Sequence, residues 1–491
     1  MSSTIPDTTQ PGLGGTATRA FGWSFLNAGL ARFGTLALGV VLARLLGPDQ
    51  FGTFAVAVVV LMAVLSFNEL GVSLAIVRWE GDPAEISATV NTISVAASFL
   101  LFGLMYVTAP AVATAMGSAD ATGVVRLLSV SVVFSGAVAA PAALLQRDFK
   151  QRRRLVVDQA MVWVGAGLSL VLALGGLGAW SLAIGRVAAT FLGLVLFIAW
   201  SPVPYRFAWN RDVARRLLHF GVPLAGASVL VFAVGYLEQV VVGATLGVTA
   251  LGVYVLAYNV ASWPSSMFSQ PLRMVAPAAF SRMQGDLRRM NDSFGRVQQI
   301  LAIVVLPLCL CLSAASTSVV QFLYGDQWAA SAPVLRYLAL LAALRIFFEL
   351  AYDFLVVRRR TSGLFAVQLL WLAALVPTLW WCAHHWGVVG VAAGQLVMVV
   401  LVVAPFYARE LHVAGVSLLL AARRLLLPVV VASAAGVLVM LVDDAVSRAW
   451  VVCLATGVIC LSAWSVMLAP RRAELADLGL RRGLPGVDDE Q

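Results

Sequence analysis

Arg345, Glu349 and Asp353 follow one another at steps of four in an otherwise apolar stretch, a spacing that places all three on one helical face. Arg32 stands in the middle of another apolar run, about eleven residues from either end, or about 16 Å along a helix. Glu69, Arg186 and Glu238 each interrupt a further run. Ionisable groups are costly in hydrocarbon, and where they occur they face a wet cavity, pair with each other, or bind something charged. A guanidinium holds phosphate oxygens in a planar fork, so Arg32, Arg186 and Arg345 are the expected anion-binding groups. Glu69, Glu238, Glu349 and Asp353 are the candidates for charge balance or for ion coupling, with a proton or sodium ion as the coupled species. For Arg32 the alternative is a structural pairing with Glu69. For Glu238 it is a salt bridge to a central arginine, and for the 345–353 series an internal ladder that neutralises itself. Tyr236, Tyr254, Tyr258 and Asn259 could line a path beside these charges or simply pack helices.

The elements that must position these residues are membrane helices. The 491-residue chain is 61% hydrophobic and 12% charged, against roughly 25% charged in soluble domains. Spans need about 20 apolar residues each, and the sequence offers fourteen, which predicts an all-α polytopic membrane protein. The chain is also written twice. Phe21-Gly22 corresponds to Phe220-Gly221, Leu46-Gly47 to Leu246-Gly247, and Gly52 with Phe54 to Gly252 with Tyr254. Deeper in each copy Gln159, Gly178 and Gly185 correspond to Gln368, Gly387 and Gly394, an offset of 209. The predicted organisation is a disordered cytoplasmic tail (1–19), an N-lobe of six spans (20–205), a C-lobe of six (206–410), two further spans (411–470) and a C-terminal tail (471–491). Duplicated helical halves mark transporters whose substrate path lies between the repeats.

Most of the 33 basic residues fall on one set of loops: Arg19, Arg78, 147–154, 206–216, 282–296, 358–360, 409–424 and the tail from Arg471. The opposite set carries Arg44, Arg126, Arg336 and Arg448. By the positive-inside rule both termini are expected in the cytoplasm. The net charge of +9 is then a topology signal and an attraction for anionic membrane lipids, with no nucleic-acid partner implied. The five cysteines lie in apolar spans without metal-ligand spacing and read as buried thiols; His384 and His385 read as interfacial packing. No metal or cofactor is expected. There is no phosphate-binding P-loop, and no loop on the arginine-poor side exceeds about ten residues, which disfavours an enzyme of glycan polymerisation or ligation.

The stretches ARLLGPDQFGTFAVA (43–57), FNELGVSLAIVR (67–78), LQRDFKQRR (145–153) and GAWSLAIGR (178–186) resemble bacterial polysaccharide exporters. The second copy continues the likeness with LEQVVVGATLGVTALGVYVLAY (237–258) and FLYGDQWAASAPVLRYLAL (322–340). The family is that of the Wzx-type lipid-linked oligosaccharide flippases, within the multidrug/oligosaccharidyl-lipid/polysaccharide superfamily. The resemblance implies two six-helix lobes forming a V around a cationic cavity. It also implies transfer of an undecaprenyl-diphosphate-linked glycan from the inner to the outer leaflet of the bacterial cytoplasmic membrane, with glycosyltransferases or a polymerase of the same pathway as docking partners. Lipid II is a second substrate within this reading. A cation-coupled multidrug exporter of the same superfamily is the alternative, although it is expected to carry acidic residues deep in the N-lobe, where this chain has arginines.

Overall fold

A computed structural model describes residues 13–68, 76, 79, 81–148, 150–269, 280, 281, 283 and 285–469. Side chains are described for these except 13–36, 68, 151, 220, 222–234, 268 and 269. The described residues fold into thirteen helices: α1 (Leu13–Asn68), α2 (Pro83–Ala115), α3 (Ala121–Arg147), α4 (Gln151–Leu174), α5 (Ala179–Ala199), α6 (Arg211–Ala261), α7 (Leu287–Ala314), α8 (Ser316–Tyr324), α9 (Ser331–Val357), α10 (Thr361–Met398), α11 (Ala404–Val413), α12 (Leu418–Ala445) and α13 (Ala449–Leu468). A π-turn, Val399–Val403, joins α10 to α11. Helices are what a lipid-exposed chain must form, since hydrocarbon supplies no partner for backbone N–H and C=O groups. Ten stretches are long and apolar enough to cross a bilayer, and the chain is a multi-pass membrane protein.

The ten stretches, found among the described residues, correspond to the fourteen spans read from sequence as follows. Three of them each hold two expected spans, and the chain leaves helical geometry between the two at Gly47 in α1, Gly247 in α6 and Gly387 in α10, each in a positive-φ conformation. Helix α9, 27 residues long, is the span expected at 333–356 and is set apart from the ten by its four charges, Arg336, Arg345, Glu349 and Asp353. Between the spans, the starts of α6 and α7 and all of α11 are also helical. Asn210 starts α6 by accepting from the amides of Asp212 (3.1 Å) and Val213 (3.2 Å). Ala214 and Leu217 then bury themselves against Ile86, Val90, Ala140 and Ala143.

The repeat is visible in the backbone. Gly47 and Gly247 have φ of 71° and 83°, and Gly178 and Gly387 have 55° and 62°. Gly117 and Gly325, 208 positions apart, form a third pair at 78° and 87°. Only glycine adopts such a conformation without steric cost, so equivalent turns recur at equivalent places in the two copies.

These turns gather at the arginine-poor ends of the helices, where the copies pack closely. A Cβ placed on Gly52 would lie 2.0 Å from the Val248 carbonyl oxygen, and one on Gly252 would lie 2.3 Å from that of Pro48. Thr249 donates to the Asp49 carboxylate and Arg44 to the Phe322 carbonyl. Gln327 Nε2 donates to the Arg44 carbonyl at 2.7 Å. Fully buried Trp328 donates from Nε1 to the Ala43 carbonyl at 3.0 Å and meets the Phe51 ring edge-on at 5.6 Å. Helices α12 and α13 pack on α7 through Ala435, Val439, Val452 and Cys460 against Ile303 and Cys311.

Candidate functional site

The densest buried polar cluster lies deep in the helices, below the glycine turns. Glu238 stands nine residues before the bend of α6, about 13 Å along the helix. Its side chain is 2% exposed, so its carboxylate must find partners inside the protein. Three donors meet it. Tyr254, from the arm of α6 beyond the bend, donates its hydroxyl to Oε2 at 2.5 Å. Arg345 of α9 donates from Nη2 and Gln395 of α10 from Nε2, both to Oε1. The Tyr254 hydroxyl is also 3.4 Å from Gln395 Oε1. Both Tyr254 and Gln395 are fully buried.

Arg345 is the member of the cluster with an open side. Its side chain is 26% exposed, its guanidinium carbon lies 6.0 Å from the centre of the Tyr258 ring, and it borders a cavity of about 110 Å³. Ser262, Ser265 and Glu349 line the same cavity. The arrangement therefore presents one face of a guanidinium, an aromatic ring, two serines and the Glu349 side chain to a small cavity otherwise lined by Ala261, Leu338, Leu341 and Ala342, while Glu238 fixes the other face.

The structure brings together three of the residues singled out from sequence: Glu238 and Arg345 in an ion pair, with Glu349 on the adjoining cavity wall. Asp353, one turn further along α9, is buried. Arg186 stands in the other copy, on α5, and its side chain is exposed. The Arg32 side chain and Glu69 lie outside the described residues. Gln395 and Tyr254 are the members whose roles sequence reasoning did not assign. The signal available for Gln395 was its position in the repeat, equivalent to Arg186. His384 and His385 are exposed, each bonded through Nδ1 to a carbonyl one turn back, at 2.8 and 2.9 Å; His385 stacks on Trp381 and His384 meets Trp380 at a tilt of 43°.

Comparison with known proteins adds what geometry alone does not. A family model described as polysaccharide biosynthesis protein matches residues 41–333. The chain belongs to that family. Among curated relatives of this polysaccharide biosynthesis protein, the succinoglycan biosynthesis transport protein ExoT of Rhizobium meliloti is 27% identical over 329 residues. That match spans 66% of each chain, just under two thirds. The lipopolysaccharide biosynthesis protein WzxC of Escherichia coli K12 is 23% identical over 361 residues, 73% of each. Among solved structures, the lipid II flippase MurJ, in an inward closed conformation, superposes with a TM-score of 0.75 at 13% identity, covering 90% of this chain and 98% of MurJ. A multidrug resistance MATE family transporter of the MOP superfamily gives 0.63 at 14% identity, covering 78% and 94%. The fold is therefore that of the MurJ and MATE transporters, as the family resemblance implied.

Proposed function

We propose that this polysaccharide biosynthesis protein is a flippase that moves an undecaprenyl-diphosphate-linked oligosaccharide, the repeat unit of a surface polysaccharide, from the cytoplasmic to the outer leaflet of the inner membrane. The observation that carries the proposal is the guanidinium of Arg345, held by Glu238 deep in the C-copy at the wall of a cavity, with a second arginine, Arg186, on helix α5 of the opposite copy. A diphosphate left alone in hydrocarbon costs tens of kcal/mol. Guanidinium groups fixed along a groove replace its lost hydration, while the isoprenoid tail stays in lipid. The names of ExoT and WzxC, both of polysaccharide biosynthesis, and the MurJ fold support the same reading.

In this reading the two copies are lobes, residues 20–205 and 206–410, with 411–470 as an added helix pair, and the arginine-poor face is external. The packed glycine turns then close the external end, and the substrate enters from the cytoplasmic side. Glu238 acts as the anchor of Arg345, since its carboxylate already meets three donors. Arg32 is the further arginine proposed for the diphosphate. A drug exporter selecting cations is disfavoured by the guanidinium that Arg345 presents to the cavity, beside Glu349. The protein is proposed to act without enzymatic chemistry of its own.

The test follows lipid-linked oligosaccharide on each leaflet, with and without the protein and with Arg186→Ala or Arg32→Ala at matched expression. The expected result is loss of outer-leaflet glycan with accumulation of the inner-leaflet intermediate. Unchanged flipping with shorter glycan chains, or with raised drug sensitivity instead, overturns the proposal.

A further inference from the structure

A second basic site lies far from the Glu238 cluster, at the arginine-rich ends of α7 and α12. Arg424, in the second turn of α12, crosses to α7: its Nη2 donates to the Asp292 carboxylate at 2.8 Å and its Nη1 approaches the Asp292 carbonyl at 3.4 Å. A Cβ on Gly295 would lie 2.1 Å from Arg424 Nη1, so a glycine inside α7 makes room for the guanidinium. Glycine in a helix interior costs about 1 kcal/mol relative to alanine, and here it lets the guanidinium lie directly against α7. Between the helices is a cavity of about 280 Å³, lined by Arg288, Asn291, Asp292, Ser417 and Arg424. Arg288 has no ion pair among the described residues. Two arginines against one aspartate leave the cavity with one net positive charge. The first turn of α12, capped by Ser417, adds the positive end of a helix dipole.

The surroundings indicate which anion. Val416 and Ala421 are shared with a second cavity of about 250 Å³ whose other walls include Phe294, Phe348, Tyr407 and Leu411. Leu419 and Leu420, in the first turn of α12, are 67% and 45% exposed, and in a membrane helix such side chains face lipid. A pocket with one net positive charge adjoining an apolar one, at the level where a helix enters hydrocarbon, matches an anionic phospholipid better than a free phosphate.

We infer that the cavity between α7 and α12 is a binding site for the phosphodiester head group of an acidic membrane phospholipid, which bridges Arg288 to Arg424 and fastens the C-terminal helix pair to α7. The inference is independent of the flipping reading and has its own readout. The purified full-length protein is challenged with dioleoyl phosphatidylglycerol, dioleoyl phosphatidylcholine or sn-glycerol 3-phosphate, and bound lipid is counted by native mass spectrometry. Thermal unfolding is followed in parallel. The expected result is retention of, and stabilisation by, phosphatidylglycerol alone. Retention should weaken about tenfold in Arg288→Gln, as for loss of one charge-assisted hydrogen bond, and further in Arg288→Gln/Arg424→Gln. The lipid-free Arg288→Gln protein should melt with wild type, because that side chain is exposed. Arg152→Gln, an exposed arginine on the same face, controls for general surface attraction. Equal retention of phosphatidylcholine, unchanged retention in Arg288→Gln, or equal loss in Arg152→Gln overturns the site. Equal protection by sn-glycerol 3-phosphate overturns the lipid as its occupant.

Discussion

Replacing Glu238 by Gln keeps the shape of the side chain and removes its charge, which isolates what the carboxylate does for Arg345. In the wild type the buried carboxylate meets the guanidinium of Arg345, the Tyr254 hydroxyl and the Gln395 amide. Removing one partner of a buried ion pair costs about 3–5 kcal/mol, because the other charge is left uncompensated. Arg345 is a quarter exposed and borders a cavity that can admit water, so the lower end, about 3 kcal/mol, applies. For a cooperative unit of about 200 residues this lowers the melting temperature by about 6–12 °C. Arg345→Met should cost more, since the charge it strands is on Glu238, only 2% exposed. The double variant Glu238→Gln/Arg345→Met strands neither charge and should recover to within about 1 kcal/mol of wild type, as replacing both partners of a buried pair often does. It should nevertheless not flip, because the guanidinium is gone. Thermal unfolding and leaflet-resolved glycan labelling on the four proteins complete the cycle. A Glu238→Gln protein melting within about 2 °C of wild type, or a double variant that flips normally, would refute the reasoning.

Other perturbations act on the glycine turns and the helix ends. Gly52→Ala or Gly252→Ala puts a Cβ 2.0 or 2.3 Å from a facing carbonyl oxygen. Overpacking of about 1–3 kcal/mol should disfavour the closed end, read as a fall in oxidative cross-linking of a cysteine pair introduced at Asp49 and Thr249. Trp328→Phe removes the bond to the Ala43 carbonyl and should lower stability by about 1 kcal/mol in thermal unfolding, without stranding a charge. Asn210→Ala removes the cap of α6 at a cost of about 1 kcal/mol, seen as faster proteolysis around residues 201–215 rather than as lost flipping at saturating substrate.

The repeat was legible because glycine at a positive-φ turn cannot be replaced cheaply, so Gly47 with Gly247 and Gly178 with Gly387 marked both the sequence and the backbone. The charges were legible because hydrocarbon makes them conspicuous. Their partners were less so. Glu238 and Arg345 are 107 residues apart on different helices, and apolar periodicity does not set the rotation of one helix against another. A Tyr or Gln in a span looks the same whether it packs or donates, so the roles of Tyr254 and Gln395 emerged only with the fold. The span boundaries were legible at the same glycines: hydropathy marks a break at Gly47, Gly247 and Gly387, and the backbone leaves helical geometry there.

One helix links the deep cluster to the packed end. Glu238 precedes the Gly247 bend of α6 and Tyr254 follows it, so the 2.5 Å bond between them ties the two arms of the helix across the bend. The same bend presents Thr249 to Asp49 and Gly252 to Pro48. Glu238 therefore has three mechanical partners, the far arm of its own helix, Arg345 of α9 and Gln395 of α10, and they share one carboxylate. An anion that draws the guanidinium toward the cavity side weakens one claim on that carboxylate and redistributes the others. A ligand shifts a conformational equilibrium only by its differential affinity for the two states. Here the differential contact is explicit: the Arg345 guanidinium can face Glu238 fully or divide itself between Glu238 and a bound phosphate, and only the first arrangement leaves the α6 clamp as it stands in this structure.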